Sequence, residues 1–223
     1  MNTGRLVLVG VFFTALLSAQ VTASKLLPVP YLGVVVPGGV VAYAFTFVAS
    51  DCYAELYGRD EALRMVNVGF ALNFLLLGLV WFAILSPSAG GVDAAAFEEV
   101  LGSSTAIVAG SLISYLVSQN WDVIVFHGLR DRTDGRYLWL RNVLSTGSSQ
   151  AIDTVLFVAV AFAVAPAVFG VGDPLPTGVL LSLIVGQYLV KLLIAVLDTP
   201  VVYAVVGYLS RDEETPVAEF PNT

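Results

Sequence analysis

Acidic and amide side chains recur at helical spacing within long apolar stretches of this sequence. Asp51 and Glu55 are four residues apart, so they would share one face of a helix. The segments 118–126 and 149–157 both read S-Q-x-x-D-x-x-x-F. Carboxylates and amides can bind the polar groups of a small ligand, and a carboxylate can also carry a proton. We therefore interpret these positions as a candidate binding or proton-handling site.

The candidate site residues are polar or charged side chains inside these apolar stretches. They comprise Asp51, Glu55, Gln119, Asp122, Asn142, Gln150, Asp153 and Lys191. Lys191 lies seven residues before Asp198 and could pair with that carboxylate or with Asp153. Two plainer interpretations stay open. Amide and hydroxyl side chains often only join neighbouring membrane helices, and Asp51, Glu55 or Asp122 could be hydrated at a membrane surface or paired with Arg59 or Arg64.

Six hydrophobic blocks must position these side chains. A membrane-spanning helix needs about 20 mostly apolar residues. The blocks predict helices over 6–23, 39–57, 64–85, 106–126, 143–165 and 178–208, the last of which is long enough to be tilted or broken. They predict an all-α, polytopic bundle in one domain, residues 1–209. Residues 210–223 are acidic and are predicted to form a disordered cytoplasmic tail.

The composition agrees with an integral membrane protein. Of the 223 residues, 57% are hydrophobic and 12% are charged, whereas a soluble domain carries about 25% charged residues. One cysteine and one histidine exclude a disulfide framework and a cluster of such metal ligands, and we expect no cofactor. The ten basic residues are scattered, which argues against nucleic-acid binding. The sequence has no Walker A loop, so we expect no ATPase in this chain.

Basic residues indicate the orientation of the bundle in the membrane. Arg5, Arg59 and Arg64 precede or join predicted helices at one end, and the loop after the fourth helix and Arg211 add further positive charge there. The loops 86–103 and 166–177 contain no Lys or Arg. The positive-inside rule therefore predicts that both termini are cytoplasmic. Lys25, just after the first helix, is the exception.

Two motifs resemble those of the queuosine precursor transporter family, which is also described as a vitamin uptake transporter group. Residues 46–58 match T-x-x-x-x-D-x-x-x-E-x-Y-G, with Asp51 and Glu55 at its acidic positions. Residues 141–154 match R-N-x-x-S-T-x-x-S-Q-x-x-D-T, which includes Asn142, Gln150 and Asp153. The resemblance extends over roughly residues 15 to 200.

The resemblance implies six helices, a multi-pass position in the cytoplasmic membrane, and uptake of a 7-deazaguanine, such as the cyano or aminomethyl form (preQ0 or preQ1), for salvage into tRNA modification. The family is similar in architecture to the substrate-binding subunits of energy-coupling-factor transporters, yet is thought to work without the ATPase module. The alternative is a vitamin-binding subunit of such an ATP-driven complex. Besides the purine-like substrate, we expect lipids as partners, and a homo-oligomer stays open.

A 7-deazaguanine would suit these side chains chemically. A carboxylate can accept its two adjacent N–H donors, an amide can donate to its carbonyl, and aromatic rings can cover its faces. Asp153 or Asp122 would supply the carboxylate. The amide would come from Gln119, Gln150 or Asn142, and the aromatic candidates are Trp121, Phe126, Phe157 and Tyr188. We do not expect an enzyme, because the intramembrane carboxylates have no recognisable nucleophile or metal constellation beside them.

Overall fold

The fold is a bundle of helices with one small β-hairpin. The structure, a computed structural model, describes residues 3–91, 93–133 and 138–213. The helices are α1 (Thr3–Thr22), α2 (Val40–Tyr57), α3 (Arg59–Leu85), α4 (Ala94–Gly102), α5 (Ser104–Arg132), α6 (Leu138–Ala159), α7 (Ala165–Phe169) and α8 (Thr177–Glu213). A π-helical segment, Val160–Val164, joins α6 to α7. Strands β1 (Leu26–Val29) and β2 (Val34–Pro37) pair antiparallel between α1 and α2.

Five helical stretches of the described chain are long and apolar enough to cross a membrane. They are Thr3–Thr22, Arg59–Leu85, Ala94–Leu129, Val143–Phe169 and Thr177–Asp198. These stretches confirm the expected class, an all-α integral membrane protein. The second predicted block forms α2, which is 18 residues long and carries two carboxylates. It is not among the five, so the count of six spans stays a prediction.

The described residues form three elements that the apolar blocks do not predict, and one of them, α7, lies almost wholly in the predicted loop 166–177. Another is the β-hairpin, whose strands of four residues are too short to produce a recognisable alternation. The third is α4, which lies in the predicted loop 86–103 and begins where the Asp93 carboxylate accepts a hydrogen bond from the backbone N–H of Ala96 (3.1 Å). At the other end of the chain, α8 continues to Glu213, four residues into the predicted tail. Residues 214–223 lie outside the described ranges.

The hairpin holds three helices together at one end of the bundle, which we call the hairpin end. The backbone N–H of Val35 in β2 donates to Ser182 Oγ in α8 (3.1 Å). One turn further along α8, Gly186 faces the Val35 carbonyl so closely that a Cβ atom there would overlap the oxygen. At the start of α2, a Cβ on Gly39 would lie 2.6 Å from the Ala19 carbonyl of α1. Glycine therefore permits both close approaches.

Arg5 joins three helices at the opposite end of the bundle, which we call the arginine end. Its guanidinium donates to Tyr53 Oη in α2 (2.8 Å) and to Glu61 Oε2 in α3 (2.6 Å). Tyr53 also belongs to an apolar cluster that includes Leu8, Phe12 and Cys52. A second apolar cluster, with Val158 and Leu183, lies near the hairpin. The polar side chains of the candidate site lie between the two ends.

Candidate binding site

A largely buried ion pair joins α6 and α8 in the interior of the bundle. Lys191 Nζ lies 2.6 Å from Asp153 Oδ2, and the two side chains are 13% and 20% exposed. The same ammonium group donates to Thr154 Oγ1 (3.2 Å). Of the two partners considered for this lysine, the structure therefore selects Asp153. A buried lysine or aspartate is costly alone, and each charge compensates the other here.

The two S-Q-x-x-D segments hydrogen-bond to each other across α5 and α6. Ser118 Oγ in the first copy donates to Asp153 Oδ1 in the second (3.4 Å). Ser149 Oγ in the second copy donates to Asp122 Oδ1 in the first (3.2 Å). Each serine thus contacts the aspartate of the other copy, which is the arrangement expected for two facing antiparallel repeats. Of the two aspartates, Asp153 is the one paired with Lys191.

A cavity lies on the hairpin side of the ion pair, and we call it the hairpin-side cavity. It lies between α1, α2, α5, α6 and α8 and has a volume of about 40 Å³, which is room for a few water molecules. Its polar lining is formed by Gln20, Ser111, Ser114, Asp153, Gln187 and Lys191, and its aromatic lining by Tyr43, Phe47 and Phe157. An apolar pocket with a few convergent polar groups is the usual form of a small-molecule site.

Two glutamines in this cavity differ in their hydrogen bonding. Gln20 is 1% exposed, and its Oε1 accepts a hydrogen bond from Ser111 Oγ (3.3 Å). Gln187 Oε1 is buried and has no donor among the described residues. A buried acceptor without a donor costs about 1–3 kcal/mol. A ligand N–H that reached Gln187 would supply the missing donor.

A larger cavity lies on the arginine side of the same ion pair, and we call it the arginine-side cavity. Its volume is about 770 Å³. Its polar lining includes Asp51, Glu55, Gln150 and Asp198. Three residues line both cavities and mark the boundary between them: Phe47, Lys191 and Ile194. The Asp153–Lys191 pair therefore separates two cavities that extend toward opposite ends of the bundle.

The structure divides the eight predicted site residues between these cavities and their surroundings. Those that line at least one cavity are Asp51, Glu55, Gln150, Asp153 and Lys191. Gln119 is exposed and Asp122 is half-buried, and neither lines either cavity. Asn142 belongs to α6, but its side chain lies outside the part of the structure that is described.

Several cavity residues are absent from the set selected from the sequence, although spacing could have identified them. Tyr43 and Phe47 precede Asp51 and Glu55 at intervals of four, so one face of α2 supplies both cavities. Gln187 similarly lies one turn before Lys191 on α8. Gln20, Ser111 and Ser114 line the cavity because of how α1 and α5 pack, and their spacing in the sequence does not predict this.

Comparison with known proteins gives the family of the chain. The family described as "Putative vitamin uptake transporter" matches residues 37–205. A Bacillus subtilis (strain 168) protein named "Probable queuosine precursor transporter" is 33% identical over 182 residues, which cover 79% of this chain and 74% of that protein. An Escherichia coli (strain K12) protein named "Queuosine precursor transporter" is 28% identical over 143 residues, covering 64% and 62% respectively.

No solved structure shows significant similarity to this chain. The family match spans more than half of the sequence, and it includes both motifs from which the family was expected. Five helical stretches of the described chain are long enough to cross a membrane, and one of them, Val143–Phe169, carries most of the second motif. The chain therefore belongs to the vitamin uptake transporter family, and it is a multi-pass membrane transporter.

Proposed function

We propose that this chain takes up a queuosine precursor, a 7-deazaguanine, across the cytoplasmic membrane and binds it beside Asp153 in the hairpin-side cavity, which widens to admit the base. The names of the two relatives support the substrate. The observation that carries the site is the buried Asp153–Lys191 pair at the boundary of two cavities. Ionisable groups inside a membrane protein usually mark a substrate or ion pathway.

The lining of the hairpin-side cavity matches the polar edge of a guanine-like base. The ring N–H and the exocyclic amine would donate to the Asp153 carboxylate as a bidentate pair. The base carbonyl would accept from the Lys191 ammonium group or the Gln20 amide, and a further N–H would reach Gln187 Oε1. The rings of Tyr43 and Phe157 line the same cavity and could cover the faces of the planar base.

The position of the ion pair also supports a transport pathway through the bundle. A carrier must expose one binding site first to one side of the membrane and then to the other. Asp153 lines the hairpin-side cavity, and Lys191 lines both cavities. Because the positive-inside rule predicts a cytoplasmic arginine end, the substrate would enter on the hairpin side and leave through the arginine-side cavity.

A vitamin-binding subunit of an ATP-driven complex remains the alternative function. The two relatives are named for queuosine precursors, and no contact among the described residues favours an ATPase partner. Uptake by the purified chain alone would exclude this alternative. Copurification with an ATPase pair, together with no uptake in its absence, would favour it.

Uptake of labelled cyano- and aminomethyl-7-deazaguanine into proteoliposomes tests the proposal. Asp153→Asn should lower uptake about 100-fold, because a good charged bidentate contact contributes about 3 kcal/mol. Asp122→Asn is the matched control, since Asp122 is the equivalent residue of the other repeat and lines neither cavity. It should keep uptake near the wild-type rate. Wild-type uptake by Asp153→Asn would refute the site, and no binding of either base to the wild type would refute the substrate.

A further inference from the structure

Two carboxyl groups meet in the arginine-side cavity, away from the proposed substrate site. Asp51 of α2 and Asp198 of α8 both line this cavity, and their carboxyl groups are close enough to interact electrostatically. Asp51 is exposed to the cavity, whereas Asp198 is 7% exposed. Asp198 Oδ1 is buried and receives no hydrogen bond from the described residues. The pair therefore has an unused acceptor and a route to water through Asp51.

Among the side chains that the structure describes, those that line this cavity do not neutralise the pair. From α2, Glu55 lines the same cavity and adds a third carboxylate, and Cys52 lies near both aspartates. From α8, Lys191 lines the cavity but its ammonium group is bound to Asp153. Tyr188 and Tyr203 also line the cavity. The described side chains of α6 at this level, Thr146 and Gln150, are uncharged.

Two ionised carboxylates in contact repel each other strongly in a site of low dielectric constant. One proton between them removes the repulsion and forms a carboxylic acid–carboxylate hydrogen bond. Two ionised carboxylates cannot hydrogen-bond to each other, because neither has a hydrogen to donate. The shared cavity and the buried, unpartnered Asp198 Oδ1 therefore suit a pair of carboxyl groups that shares one proton.

We propose that Asp51 and Asp198 form the binding site of the coupling cation, a single proton that ties α2 to α8. The carboxylate pair takes the proton from hydronium, which leaves water, and returns it to water on the other side of the membrane. When the proton leaves, repulsion separates α2 from α8 and opens the arginine-side cavity. Proton binding is thereby coupled to the side on which the substrate site opens. The inference rests on the proposed transport function.

Gradient-driven uptake separates coupling from binding. In proteoliposomes with an inward proton gradient, Asp198→Asn should reduce accumulation of labelled 7-deazaguanine about tenfold or more, the range of a typical coupling between two sites. It should still exchange labelled for unlabelled substrate, because Asp153 and Lys191 are intact. Asp51→Asn should likewise lose accumulation and keep exchange. It serves as the second variant if Asp198→Asn does not fold. The matched control is Asp173→Asn, an exposed loop aspartate, which should accumulate substrate like the wild type.

A substrate-free measurement keeps this proposal separable from the proposed function. The infrared spectrum of the wild type should contain a carboxylic-acid C=O band that titrates with pH, and Asp198→Asn should lose it while Asp173→Asn keeps it. If the wild type transports no 7-deazaguanine but its band titrates with pH and is lost in Asp198→Asn, the proposed function is refuted and the proton site is not. The coupling site is refuted if neither Asp51→Asn nor Asp198→Asn changes the band. It is also refuted if accumulation follows a sodium gradient at constant pH.

Discussion

Lys191 Nζ lies 2.6 Å from Asp153 Oδ2 at the boundary between two cavities. The single ammonium group compensates a buried carboxylate and occupies the point where a ligand would cross from one cavity to the other. A ligand that binds the Asp153 carboxylate must either displace the Lys191 ammonium group from it or bind the carboxylate together with Lys191. The strength of this ion pair should therefore control both the stability of the bundle and its affinity for substrate.

Removal of one member of the pair should destabilise the protein more than removal of both. Lys191→Met leaves the Asp153 carboxylate buried without its cation, and we expect a loss of about 3–5 kcal/mol in the free energy of unfolding. The double variant Lys191→Met/Asp153→Leu should recover most of that loss, because no uncompensated charge remains. Thermal unfolding in detergent, measured for both single variants and the double variant, gives the coupling energy. Strictly additive losses would show that the pair makes no net contribution.

The two serines of the repeat should have different effects although their hydrogen bonds are equivalent. Ser118→Ala removes a donor from Asp153, whereas Ser149→Ala removes one from Asp122. Each should lower stability by about 1 kcal/mol. Isothermal titration with a 7-deazaguanine should show weaker binding for Ser118→Ala alone, since Asp122 lines neither cavity. Equal loss of affinity in both variants would contradict this distinction.

Replacement of Gln187 should weaken binding without weakening the fold. Its Oε1 is buried without a donor from the described chain, so Gln187→Leu should keep or raise the melting temperature. Loss of an acceptor for the substrate should lower affinity about tenfold. Asn73 is the matched control because both atoms of its amide are also buried and without partners among the described residues, and it lines neither cavity. Asn73→Leu should raise stability and leave affinity unchanged.

The contact between the hairpin and α8 should not tolerate a larger residue. Gly186→Ala places a methyl group against the Val35 carbonyl, and overpacking of this kind costs about 1–3 kcal/mol. The control is Gly78→Ala in α3, where an added Cβ meets nothing within 4 Å. That variant should be neutral or stabilising by up to about 1 kcal/mol, because alanine favours a helix over glycine. Similar melting temperatures for the two variants would refute the tight contact.

The helices were predictable from the sequence because their signal is local. Long apolar blocks locate α2 to within one residue and the ends of α1, α3, α5, α6 and α8 to within six. The S-Q-x-x-D repeat predicts that α5 and α6 carry equivalent polar faces. The hairpin was not predictable, since its four-residue strands depend on contact with α8. The partner of Lys191 was not predictable either, because spacing places Asp198 on the same helix face but cannot show that Asp153 of α6 packs beside the lysine.

The candidate site was predictable in part for the same reason. Periodicity identifies which residues share a helix face, so it selects Asp51 with Glu55 and Asp153 with Gln150. It does not reveal which face of a helix meets a cavity. Gln119 and Asp122 follow the repeat as closely as their counterparts on α6, yet neither lines either cavity. The difference arises from α8, which packs against α6 and brings Lys191 to only one of the two copies.

Pro200 gives α8 two mechanically different halves. The hairpin contacts this helix at Ser182 and Gly186, so that half is fixed to β2. Pro200 has no N–H, and the carbonyl of Val196 one turn earlier therefore has no intrahelical hydrogen bond to it. We expect α8 to act as a lever with its pivot near Asp198, about 20 Å along the axis from Gly186 at 1.5 Å per residue. Bending at this point would move the half of α8 at the arginine end while the half bound to the hairpin stays in place.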